Sequence, residues 1–70
     1  MPVSIAPLNV LMRVTKVAAD EKVKKHLESL GITIGSNITV LQASSGNVIL
    51  IVKDGRLALD KTLANKIFVA

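Results

Sequence analysis

The chain has 70 residues, half of them hydrophobic, with a net charge of +4 and a mean hydropathy of +0.52. It contains no Cys, Tyr or Trp, and only one Phe and one His. This composition excludes disulfides and thiolate zinc sites and leaves little for nucleophilic catalysis or base stacking. The length predicts a single domain over residues 1–70, too small to bury all of its aliphatic side chains. We therefore expect self-association or a docking partner.

The sequence predicts a cytoplasmic protein without membrane insertion. Its longest apolar run, Val48–Val52, falls far short of the ~20 residues that span a bilayer. The first residues lack the basic region and apolar stretch of a signal peptide. Three of the nine basic residues cluster, and we interpret Lys22, Lys24 and Lys25 as a solvated helix face rather than a polyanion site.

The first predicted strand is followed by an irregularity. Alternating apolar residues indicate a strand over Val10–Val14. The next apolar residue, Val17, is out of phase with that alternation, which predicts a bulge near Thr15–Lys16.

A short helix follows, with well-marked ends. Asp20 is a good N-cap, and an apolar stripe at helical spacing is formed by Val23, Leu27 and Leu30. Gly31 stands where a left-handed residue ends a helix, and Ile32 can fold back onto the last turn.

The second half of the chain has the alternation of a β-meander. Three strands are predicted over Ile38–Ala43, Val48–Lys53 and Arg56–Leu59. Asp54–Gly55 is a hairpin signal that favours a type I′ turn. Asp60 is predicted to cap a single helical turn through Ala64, before a last strand over Lys66–Val69. Five short strands and one helix predict an all-β fold, a small closed barrel.

Two segments resemble a known family. Leu27–Ile38 follows the pattern Leu-x-x-Leu-Gly-(aliphatic)-x-x-Gly-x-x-(aliphatic). Gly55–Leu59 is similar to the family pattern Gly-x-x-(Leu/Ile)-(Ala/Gly)-Leu but is one residue shorter, and Ala64–Val69 follows the pattern Ala-x-x-Ile-x-Val. In this order and at this separation, they resemble the ferrous iron transport protein A (FeoA) family across nearly the whole chain.

The resemblance implies an SH3-like five-stranded barrel and a role in transition-metal transport. A FeoA protein is a cytoplasmic accessory protein of bacterial ferrous iron uptake. The implied partner is the cytoplasmic, GTP-hydrolysing part of the membrane transporter FeoB. The same barrel forms the C-terminal domain of iron- and manganese-dependent repressors, which is an alternative identity. The start at Met1, without DNA-binding helices, favours the free-standing protein.

Three positions depart from the family pattern. Asn9 stands where the family often has Gly, and Ile34 where it often has Pro. His26 replaces an Arg that often precedes the Leu at position 27. This last difference weakens any expectation that a fixed basic residue at that position contacts the partner.

The sequence predicts no metal site, cofactor or catalytic residue. Ferrous iron needs convergent His, carboxylate or thiolate ligands. His26 is alone, and neither Glu21 nor Glu28 lies at the spacing that would bring it alongside on a helix. Ser44–Gly46 is typical of a turn rather than a nucleophile elbow, so an enzyme is not expected.

The apolar contact candidates come from strand alternation. If alternate residues face the core, an outward set is formed by Leu11, Leu41, Ile49 and Ile51. On the last strand Phe68 would point outward, between two core residues. Leu11, Ile49 and Phe68 are therefore predicted contacts for a partner or for another copy of the chain. The alternative is that sheet curvature and the helix cover this set.

The remaining contact candidates are the exposed helix face with Lys22 and Lys25, and the turn from Gly31 to Gly35. An equally good explanation of the two glycines is that the fold alone requires them. The two lysines could act only by raising the rate of association with a partner. Two further alternatives are a self-assembling module and a small basic nucleic-acid-binding barrel. The lack of aromatic residues disfavours nucleic acid and proline-rich ligands alike.

Overall fold

A computed structural model describes residues 1–53 and 55–70. The strands are β1 (Leu11–Val17), β2 (Asn37–Ala43), β3 (Asn47–Val52), β4 (Gly55–Asp60) and β5 (Ile67–Val69). The helices are α1 (Glu21–Ser29) and the single turn α2 (Lys61–Ala64), and a 3₁₀ turn over Val3–Ile5 precedes β1. Every predicted strand and helix is present, with ends within a few residues of those expected.

The five strands form one antiparallel sheet in the order β4-β3-β2-β1-β5. This is the all-β fold of five short strands and one short helix that the sequence predicts. The predicted closure into a barrel is not seen among the described residues. Within the described ranges no strand pairing joins β4 to β5, so these two strands form the ends of the sheet.

The bulge predicted near Thr15–Lys16 is confirmed by a register shift between Val14 and Lys16. β1 pairs with β2 over residues 11–13, and it pairs with β5 from Val14 across the bulge to Val17. A bulge bends its strand and increases the local twist. Because β1 bends at the bulge, it can pair with β2 near its start and with β5 near its end.

The core is formed by the inward residues of every strand and by α1. Its fully enclosed members include Val14, Leu27, Ile32, Ile38, Val40, Val48, Leu50, Ile67 and Val69. No polar or charged side chain of the described residues is buried. The hydrophobic effect is therefore the main source of stability.

Helix α1 has both of the ends that the sequence predicts. The Asp20 carboxylate accepts a hydrogen bond from the Val23 backbone N–H at 2.9 Å. At the other end Gly31 has φ +94°, and the N–H of Ile32 donates to the Leu27 carbonyl at 2.9 Å. Ile32 is buried, so the return of the chain places a side chain in the core.

The N-cap of α1 can be tested by substitution. We expect Asp20→Ala to lower the free energy of unfolding by about 1 kcal/mol, because the Val23 N–H loses its acceptor. Asp20→Asn keeps an acceptor oxygen and should cost less. Urea unfolding followed by circular dichroism measures both. Equal losses in the two variants would show that the carboxylate charge, not the cap hydrogen bond, stabilises the helix.

The hairpin between β3 and β4 differs from the prediction. Position 54 of the predicted Asp54–Gly55 turn lies outside the described residues. Gly55 is the first residue of β4 and pairs with Val52, so it belongs to the strand. Lys53, predicted to end the preceding strand, has φ +55° and follows β3 instead.

Candidate partner-binding surfaces

Leu11, Ile49 and Ile51 form an apolar area on the outer face of the sheet, here called the outer patch. Leu11 pairs with Thr39, and Thr39 pairs with Ile51, so the three side chains lie on one face in a row across β1, β2 and β3. Ile49 lies two residues along β3 on the same face. Leu11 is 69% exposed and Ile51 37%, whereas Ile49 is half-buried. The predicted outward orientation of these residues is confirmed.

Phe68 lies apart from the outer patch. It pairs with Lys16, roughly 16 Å along β1 from Leu11. Its ring is half-buried, and the Lys16 ammonium nitrogen lies 5.6 Å from the ring centroid. An exposed cation–π pair of this kind contributes about 0.5–1 kcal/mol. The structure therefore brings Leu11 and Ile49 near each other but places Phe68 at the other end of the strand.

Gly31 and Gly35 both have backbone angles that favour glycine. Their φ values are +94° and +93°. A Cβ on Gly31 would lie 3.0 Å from a methyl carbon of Val52, so the turn packs directly against β3. The Gly35 N–H donates to the Val14 carbonyl at 2.8 Å and fastens the same turn to β1. Both glycines have a structural role, and a role in partner contact stays a prediction.

Lys22 and Lys25 are exposed on α1. Because they are three residues apart, they share one side of the helix. His26 is also exposed, as expected for a solvated side chain. This side of α1 presents positive charge to solvent and no apolar anchor. It fits a role in electrostatic attraction better than one in tight packing.

A shallow groove beside α1, here called the helix groove, was missed by the sequence reasoning. It encloses about 80 Å³ and is lined by Val17, Lys24, Glu28, Ile32, Thr33 and Ile34. Ile32 is buried in its floor, whereas Ile34 is 68% exposed at its edge. The i, i+4 spacing of Lys24 and Glu28 was visible in the sequence. The approach of residues 32–34 to β1 became visible only in the folded chain.

The N-terminal segment adds exposed apolar side chains that were also missed. Its large exposed members are Met1, Ile5, Leu8 and Val10. The segment is held against β2, because Asn9, with φ +61°, donates its N–H to the Val40 carbonyl at 2.7 Å. Asn at a turn tolerates this left-handed conformation, which accounts for its presence where the family often has Gly.

Residues 1–53 and 55–70 contain no group of three or more His, Asp or Glu side chains placed to hold a metal ion. The described residues form no helix with the length and hydrophobicity that spanning a bilayer requires.

The family model of the FeoA domain matches residues 1–70. The chain belongs to the FeoA family. No curated protein sequence matches this FeoA chain significantly.

Solved structures share the FeoA fold. One is the crystal structure of an iron uptake regulatory protein (FeoA), with 27% identity and a TM-score of 0.90, covering 99% of this chain and 93% of that one. The FeoA protein from Chlorobium tepidum is 25% identical with a TM-score of 0.86, covering 99% and 68%. Iron(II) transport protein A from Clostridium thermocellum has 20% identity and a TM-score of 0.89, covering 99% and 44%. At 20% identity the last likeness shows the fold alone.

Proposed function

We propose that this chain is a non-catalytic, cytoplasmic accessory protein of ferrous iron uptake that acts by docking on the nucleotide-binding part of the transporter FeoB. Membership of the FeoA family over residues 1–70 supports a place in iron(II) transport. So does the description of one similar structure, an iron uptake regulatory protein (FeoA). Ferrous iron is the cargo of the transporter in this proposal.

The observation that carries the docking proposal is the outer patch. Leu11 stands 69% exposed at the start of β1, on the same face of the sheet as Ile51 and the half-buried Ile49. Covering apolar surface stabilises a complex by about 25 cal/mol per Å² removed from water. A cluster of aliphatic side chains on a rigid sheet can therefore serve as the central anchor of an interface.

The lysines of α1 add an electrostatic component to this proposal. Lys22 and Lys25 attract an acidic partner surface and raise the association rate, while the outer patch controls dissociation. Docking would then change the rate of GTP hydrolysis or the opening of the transporter by favouring one of its conformations.

The proposal is tested with the purified nucleotide-binding domain of FeoB, under anaerobic conditions and with or without GTP. We expect saturable binding by biolayer interferometry. Leu11→Asp should weaken it about tenfold or more, because it buries a charge in the interface. Ile5→Asp is the matched control, since Ile5 is 70% exposed and lies outside the outer patch.

Circular dichroism establishes that both variants are folded before binding is compared. Absence of binding in both nucleotide states would overturn the proposal. Equal weakening by the two variants would remove the outer patch from the interface while leaving the docking itself in place.

A further inference from the structure

The outer edge of β4 has backbone groups without partners in the described part of the chain. In an antiparallel pair, alternate residues direct both backbone groups toward the neighbouring strand. The Lys61 N–H continues the β3–β4 ladder by donating to the Gly46 carbonyl at 3.0 Å. Counting back from Lys61 in steps of two, Leu59, Leu57 and Gly55 direct their backbone groups toward β3. The residues between them, Arg56 and Ala58, therefore direct their N–H and C=O groups away from β3. Within residues 1–53 and 55–70, β4 pairs with β3 alone.

The opposite end of the sheet is protected. Pro2 pairs with Phe68, and the Val69 N–H donates to the Met1 carbonyl at 2.8 Å. The amino group of Met1 donates to the Val69 carbonyl at 2.9 Å. The N-terminal residues therefore cover β5, and Pro2 brings no N–H to that edge. Natural sheets usually protect their edges in this way. The uncovered edge of β4 is therefore a candidate site for pairing with another strand.

The side chains of β4 define what an added strand would meet. Leu57 is half-buried and packs against the core, while Leu59 is buried. Arg56 and Ala58 are exposed on the other face. An added strand would place an apolar residue over Leu57 on the inner side and a polar residue beside Arg56 on the outer side. The small side chain of Ala58, on the same outer side, leaves room for that polar residue.

The strand added to β4 could come from a second copy of this chain or from an acidic segment of another protein, and charge distinguishes the two. The β4 segment and its flanking residues carry three cations, Lys53, Arg56 and Lys61, against two acids, Asp54 and Asp60. The Asp60 carboxylate already accepts the Leu63 N–H as the cap of α2. The chain as a whole has a net charge of +4, so a second copy would be repelled. An acidic strand would be attracted.

We propose that the outer edge of β4 binds an extended acidic segment of another protein, which joins the sheet as an additional strand. Backbone hydrogen bonds to Arg56 and Ala58 would supply affinity, and alternating acidic and apolar side chains would supply specificity. This site is separate from the outer patch, and the proposal does not require the partner to be FeoB.

The probe is a blocked six-residue peptide of alternating Glu and Val, titrated into the ¹⁵N-labelled chain. We expect saturable shifts of the Arg56 and Ala58 amides, with a Kd on the order of 1 mM for so short a ligand. The same peptide with alternate backbone nitrogens methylated should not bind. Replacing Glu by Lys should also abolish binding.

Two variants locate the site. Ala58→Pro removes one outward N–H without touching the β3–β4 ladder and should weaken the peptide about threefold to tenfold. Arg56→Glu should weaken it about tenfold, whereas Lys25→Glu on α1 is the matched charge control and should have a much smaller effect. The β3 amide shifts of each variant report whether the hairpin is intact.

Several outcomes would overturn the proposal. These are the absence of saturable shifts, shifts confined to other elements, or equal binding of the methylated or Lys-containing peptide. Sedimentation of the free chain supplies one more: a dimer that Ala58→Pro abolishes would make a second copy, not an acidic segment, the occupant of this edge. None of these measurements involves FeoB, so their failure would leave the proposed transport function untouched.

Discussion

Leu50→Ala should lower the free energy of unfolding by about 3 kcal/mol, as expected for truncation of a fully buried core side chain. Leu50 is 0% exposed and lies in β3, paired with Val40 on one side and Leu57 on the other. Strands on both sides restrict relaxation, so the lost side chain leaves a cavity. Large-to-small changes at such sites cost about 2–5 kcal/mol.

Ile51→Ala is the matched control for this truncation. Ile51 is the next residue of the same strand, but its side chain faces outward and is 37% exposed. Its removal should cost no more than about 1 kcal/mol, because little packing is lost. Urea unfolding with unchanged m-values measures both variants. Similar losses at positions 50 and 51 would contradict the inward and outward assignment of β3.

Gly31→Ala should lower the free energy of unfolding by about 2 kcal/mol. Two effects combine, since the backbone has φ +94° and the new Cβ would lie 3.0 Å from the Val52 methyl carbon. A non-glycine residue in such a conformation costs about 1–3 kcal/mol. In a domain of this size, a loss of 1 kcal/mol lowers Tm by about 4–8 °C. Thermal unfolding should show a fall in Tm of about 8–16 °C.

Gly46→Ala is the control for the glycine substitution. Nothing lies within 4 Å of a Cβ at position 46, and Gly46 is not among the residues with positive φ. Its stability should change by no more than about 0.5 kcal/mol. If Gly46→Ala were as damaging as Gly31→Ala, general loss of glycine flexibility, rather than the close approach to Val52, would be the cause.

The ends of α1 were predictable because they depend on residues close together in the chain. Asp20 caps a backbone N–H three residues later, and Gly31 ends the helix with a backbone angle that glycine adopts easily. The bulge in β1 was also predictable, because the apolar phase changes within a few residues. Local chemistry is visible in a single sequence.

The β3–β4 hairpin shows the limit of local signals. A Gly after Asp is a strong turn signal, yet Gly55 pairs with Val52 as part of β4. The register of a hairpin depends on which residues face the core, and that choice is made across strands. Val52 and Leu50 both lie inside, which fixes the pairing of their partners.

The candidate surfaces were predicted in part. Strand alternation correctly placed Leu11 and Ile49 on the outer face, but it could not tell that Phe68 lies far from them. The helix groove combines residues from β1, α1 and the following turn. The uncovered edge of β4 depends on the order of strands in the sheet. Neither feature has a signature at any single position.

For this chain, residue order was enough to predict the five strands, the two α-helical segments and their N-caps, because these depend on interactions over a few residues. Folding alone settled which strand stands at the end of the sheet and which apolar side chains become neighbours. Those outcomes follow from contacts between residues far apart in the chain, such as Pro2 with Phe68. Such contacts form only when the whole core is buried together.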